Sequence, residues 1–173
     1  MRAARTIALL ALLSCAPLAA AGDAAPEFTH GEPESWLNSE PLTLAGLRGQ
    51  PVLVEFWTFG CSNCLRTLPW LKAIHGRYSQ QGLAVVSVHA PEFSHEHDVE
   101  AVRAAVNRLG IRYPVMIDND FSYWRALGNR YWPAFYLLDR EGRVVARAAG
   151  ELHAGQAGGD DFERRIRRLL DNS

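Results

Sequence analysis

Residues 51–57 form an apolar run broken only by Glu55, and four positions past its end stands Cys61-Ser62-Asn63-Cys64. Leu65, Leu68, Leu71 and Ile74 then recur at helical spacing. An apolar run with β-branched residues and no polar alternation fits a strand covered on both faces. The cysteine pair therefore falls where a buried strand turns into a long helix, expected over residues 62–78. Unpaired amides and the macrodipole at such a helix N-terminus favour a thiolate at Cys61. Cys64, one turn on, lies on the same side and can close a disulfide with it. A redox pair is the reading this placement favours over half a metal site or two inert core thiols.

The rest of the chain repeats the strand–helix alternation. Residues 83–89 read as a second buried strand, and Val99, Val102, Val106 and Leu109 as a helical stripe closed by Gly110. Residues 114–118 suit a short strand and 121–127 a short helix. Residues 134–139 and 143–149, joined by Arg140-Glu141-Gly142, read as a hairpin. A flexible loop is expected over 155–159, after which Asp160 caps a last helix with Phe162, Ile166 and Leu169 on one face. This order predicts one α/β domain with a largely parallel sheet that ends in an antiparallel hairpin.

The chain of 173 residues opens on a short basic stretch with Arg2 and Arg5, an apolar run from Ile7 to Leu13 and Ala19-Ala20-Ala21. These are the parts of a secretory signal, expected over residues 1–21, and the apolar part is too short for a membrane span. Leu12-Leu13-Ser14-Cys15 also resembles a lipobox, so cleavage after the alanines and lipidation of Cys15 both stand. Residues 22–41, rich in Gly, Pro, Glu and Ser, read as a leader or linker. Three cysteines are too few for a disulfide framework or a Cys-rich zinc site. Eighteen Lys and Arg against 19 Asp and Glu leave no basic footprint for nucleic acid.

Val52-Leu53-Val54-Glu55-Phe56-Trp57, the Cys-x-x-Cys pair, Pro69 and Trp132-Pro133-Ala134-Phe135 together resemble the thioredoxin superfamily. The resemblance covers residues 42–170, so a thioredoxin-like domain is expected over 42–173: a central mixed sheet, helices on both faces and an inserted helical segment. That insertion, around residues 101–109, is similar to the one in TlpA/ResA thiol–disulfide oxidoreductases. Val88-His89-Ala90-Pro91-Glu92-Phe93 and Gly128-Asn129-Arg130-Tyr131-Trp132-Pro133 look closest to the periplasmic redox domain of DipZ-type proteins, where the domain is fused to a membrane electron conduit. The resemblance implies an exported oxidoreductase, with protein thiols and disulfides as substrates and a separate membrane electron donor of DsbD/CcdA type. It implies no cofactor and no metal.

Residue by residue, the resemblance makes Cys61 the attacking thiol, Cys64 the resolving one and Glu55 the buried acid that handles the proton. An acid inside an apolar strand is costly, and burial raises its pKa toward neutrality; its plain alternative is an acid at a strand edge. Pro133 matches the cis-proline facing the disulfide, Trp132 beside it is a candidate substrate contact, and Pro69 matches a helix-kinking proline. The chain departs from the family at Gly60, where Trp commonly precedes the first cysteine, and in the Ser62-Asn63 dipeptide that tunes the potential.

Three features invite other readings. His89, His95 and His97 with Glu92, Glu96 and Asp98 form the most metal-like cluster, but the segment reads as an exposed loop entering a helix. A non-enzymatic metal-binding module would rest on it. Thr58-x-x-Cys61 matches part of the peroxiredoxin motif, with Val54 in the place of its proline, so a peroxiredoxin-type thiol peroxidase is the alternative enzyme. The arginines at 164, 165, 167 and 168 read as the solvated face of the last helix, and Trp36, Trp70 and Trp124 as packing.

Overall fold

The computed structural model describes residues 23–171. Val52–Trp57 (β2) has every side chain buried, Glu55 included, as a run without alternation requires when both sheet faces are covered. Ala84–His89 (β3) pairs with it in parallel and Ala134–Leu138 (β5) antiparallel. Val115–Ile117 (β4) extends the parallel half beyond β3, and Trp36–Leu37 (β1) closes that edge antiparallel. Val144–Ala149 (β6) forms the hairpin with β5 and the other edge, giving the order β1-β4-β3-β2-β5-β6.

The helices Ser62–Tyr78 (α1), Val99–Leu109 (α2) and Ala157–Asp171 (α4) bring Leu71, Val106 and Ile166 into one core with Leu53 and Trp57 of β2. Ser122–Ala126 (α3) and the chain before β2 cover the opposite face, where Phe28, Trp36 and Tyr123 meet Val54 and Phe56. The alternation of β2 thus sends Glu55 to the α1 side. The expected mixed sheet with helices on both faces is the architecture found, and α1 and α2 occupy the predicted spans.

Two expectations are corrected. Residues 22–41 do not hang free as a leader: from 23 on, this segment is part of the domain. Phe28, Trp36 and Leu37 are buried, Trp36 and Leu37 pair with Met116 and Val115, and Ala24 bridges to Arg143. Its apolar residues are too sparse to show a period, yet each finds a place at a sheet edge or on the α3 face. The last helix begins at Ala157, not after Asp160: Asp160 N already bonds Gln156 O at 2.9 Å, and Gly159 fits against the His153 backbone where a Cβ has no room. Asp160 accepts instead from Gly155 N at 2.9 Å. The expected signal and Cys15 lie outside the described residues. Among the described residues no helix is long and apolar enough to cross a membrane.

Candidate active site

Cys61 is the N-cap of α1, with extended backbone, and its Sγ accepts from Cys64 N at 3.3 Å. Both cysteines are free thiols. Both are buried, but Cys61 retains 8% of its surface against 2% for Cys64, so the first is the more accessible. Burial above all pushes the Cys64 thiol far up; the hydrogen bond with Cys61 and the nearby Glu55 charge add to it.

Glu55 stands opposite Ser87 in the parallel register, and Ser87 Oγ donates to Glu55 Oε2 at 2.7 Å. One donor does not replace the water lost. Burial raises this carboxyl from 4.5 to about 7 against the lowering effect of the Ser87 bond. Glu55 is therefore a buried acid that changes charge near neutral pH, electrostatically linked to Cys64.

The Trp132–Pro133 peptide is cis. Trp132 rests on Trp124 at 4.3 Å between ring centroids, and its Nε1 donates to Ala90 O at 2.9 Å. Residues 60–63, Cys61 among them, line a groove of about 300 Å³ together with Glu92, Phe93 and Trp132. The structure thus brings Cys61 and Trp132 to one groove and puts Cys64 and Glu55 in the buried layer behind it.

The sequence profile of the Redoxin family matches residues 20–161. The chain belongs to the Redoxin family. It is 37% identical over 141 residues to protein DipZ of Mycobacterium tuberculosis, covering 80% of this chain and 20% of that one. It is 30% identical over 145 residues to thiol–disulfide oxidoreductase YkuV of Bacillus subtilis, covering 84% and 93%. Among solved structures, a thioredoxin-like protein in its oxidised form superposes with a TM-score of 0.73 at 29% identity, over 88% of this chain and 97% of that one. The chain spans only 11–20% of the length of the first curated relatives it matches.

This Redoxin domain places the histidine segment differently from the exposed loop expected. His89 and Glu96 are fully buried, while His95, His97, Glu92 and Asp98 stay exposed, so the six do not converge on one point. His89 Nε2 lies 3.2 Å from Thr58 Oγ1, and burial pushes its pKa down to about 4, leaving it neutral. Glu96 Oε1 accepts from Gly60 N at 2.7 Å, directly before Cys61. Neither residue was assigned to the site from sequence, although Gly60 in place of Trp was the trace of Glu96. Among the described residues, His30, Asp118 and Asp120 are the group whose donor atoms lie close enough to share a metal ion. Their approach is already accounted for by His30 Nε2 contacts of 3.2 and 3.3 Å to the two carboxylates.

Proposed function

We propose that this chain is an exported thiol–disulfide oxidoreductase that reduces protein disulfides through Cys61 and Cys64. The observation that carries it is the layering of the site: Cys61 capping α1 in the lining of a groove, Cys64 more deeply buried, and within electrostatic reach of Cys64 an acid titrating near pH 7. Cys61 attacks one sulfur of the substrate disulfide, forming a mixed disulfide and releasing the other sulfur as a thiolate. Cys64 gives its proton to the Glu55 carboxylate and attacks Cys61 Sγ. The second substrate sulfur leaves, and the chain keeps a Cys61–Cys64 disulfide, two electrons having passed to the substrate. Trp132 lines the groove where the substrate would dock, and the buried cis-Pro133 follows it in the chain. A membrane donor of DsbD/CcdA type returns the two electrons, and the N-terminal signal takes the domain to that compartment. Thr58, the residue behind the peroxidase alternative, is fully buried and its hydroxyl meets His89, which favours exchange.

Insulin reduction driven by dithiothreitol tests the activity: acceleration over dithiothreitol alone is expected, and none with folded protein refutes it. The reduction potential of the pair tests the direction. A value near thioredoxin's, about −270 mV, supports a reductant, and one near about −120 mV makes the chain an oxidant.

A further inference from the structure

Residues 91–97 lie beside the site, and one buried side chain ties them down. Glu96 Oε1 accepts from Gly60 N at 2.7 Å; its Oε2 accepts from Glu92 N at 2.6 Å and Phe93 N at 2.9 Å. Burial pushes this carboxyl up, but hydrogen bonds from Thr58, Phe93, Glu92 and Gly60 outweigh it and hold the pKa below the usual carboxylate range. Glu96 therefore stays an ionised acceptor at neutral pH, and its charge-assisted bonds tie residues 92–93 to Gly60.

Gly60 is the other half of this clasp. A Cβ at that position would collide with Glu96 Oε1, so no larger residue precedes Cys61 while Glu96 occupies the space. The clasp holds Glu92 and Phe93, which line the groove together with Trp132 and residues 60–63. The Trp132 bond to Ala90 O pins the same segment at its start. Phe93 keeps 51% of its surface, stacked on His95 at 5.9 Å. Exposed aromatic surface on a segment anchored at both ends, next to the attacking thiol, fits an apolar side chain that arrives with the substrate sulfur.

We propose that Glu96, with Gly60, is a positioning residue that holds Phe93 as a specificity wall of the Cys61 groove, selecting polypeptide disulfides with an apolar side chain next to the reacting cysteine. This rests on the thiol–disulfide exchange reading above. Cys61 has further holds of its own in the α1 cap and its N–H bond to Thr58 O. The wall therefore governs which disulfide docks.

The test uses the reduced protein and two disulfide-bonded peptides identical except for Leu or Ser beside the cysteine. A partly buried Leu contact is worth about 1 kcal/mol, so the native chain should react about fivefold faster with the Leu peptide. Phe93→Ala, at an exposed position with little folding burden, should bring that preference close to one, and Glu96→Ala should do the same. Gly60→Ala should also lose the preference, and Gly60→Ala combined with Glu96→Ala should be no worse than Gly60→Ala alone, because the added Cβ then has room. Equal rates for the two peptides with the native chain, or a preference that survives Phe93→Ala, overturns the proposal. Reaction of the native chain with a small aryl disulfide, dithiobis(nitrobenzoate), is read in parallel. If that succeeds while the peptide preference is absent, the wall is refuted and exchange stands; if the native chain reacts with neither, the exchange reading fails and this inference with it.

Discussion

Glu55→Gln is the substitution with the most legible consequence for stability. The carboxyl titrates near 4.5 in an unfolded chain and at about 7 in the fold, because it is buried with one hydroxyl donor. The folded state holds this proton more tightly, so its stabilising effect is complete below the unfolded value and is lost as pH rises through about 7. At 1.36 kcal/mol per pKa unit the full loss is about 3 kcal/mol, of which about 2.5 kcal/mol falls between pH 5 and pH 8. Gln keeps the shape and does not titrate. Any cost of its unpaired amide is the same at both pH values and cancels. Thermal unfolding of the reduced protein should therefore show Glu55→Gln gaining on the native chain from pH 5 to pH 8, by about 5–10 °C at 2–4 °C per kcal/mol. A melting difference that is the same at both pH values would show that Glu55 does not titrate in the fold, and the proton-handling role would lose its basis.

Three other perturbations test separate parts of the structure. Cys64→Ala should leave Cys61 able to attack but unable to release, so mixed disulfides should accumulate on non-reducing gels; Cys61→Ala should accumulate none, and equal trapping by both would reverse the order of attack. A chain starting at Leu42 loses Phe28, Trp36 and Leu37 from the core. At about 2 kcal/mol each this is about 6 kcal/mol, comparable to the whole stability of a domain. It should lack a cooperative melt, and a native-like melt would restore the linker reading. Gly159→Ala forces a Cβ onto the His153 backbone and should lower stability by about 1–3 kcal/mol in urea titration, against little change for the unhindered Gly76→Ala.

What the sequence disclosed followed how locally each feature is encoded. The spans of α1 and α2 were legible because an apolar stripe with helical period is carried by the segment itself. A two-residue strand such as β1 has no period to show, and it exists only because β4 offers an edge. Cys61 and Cys64 could be named because strand, turn and helix adjoin in the chain, whereas Glu55 was named through the resemblance, with its apolar neighbours pointing to burial. Glu96 was misplaced in an exposed loop because an acid among polar residues looks solvated. Its burial depends on an amide 36 residues away, and no local pattern reports that.

The two buried carboxyls of this site show why donor count matters more than depth. Both are desolvated, and burial pushes both upward. Glu55 receives the Ser87 hydroxyl and ends near 7; Glu96 is lowered by Thr58 and by three backbone amides and ends below the ordinary range. A carboxylate saturated with amide donors keeps its charge through the physiological range and serves as a fixed fastening. One with a single donor gains and loses its charge near neutrality and can carry a proton. The two acids therefore divide the work. On the proposed mechanism an inflection near pH 7 is expected in the resolving step, as rising pH empties the Glu55 carboxylate to receive the Cys64 proton. Glu96 has no such inflection to give, and its influence is on what enters the groove.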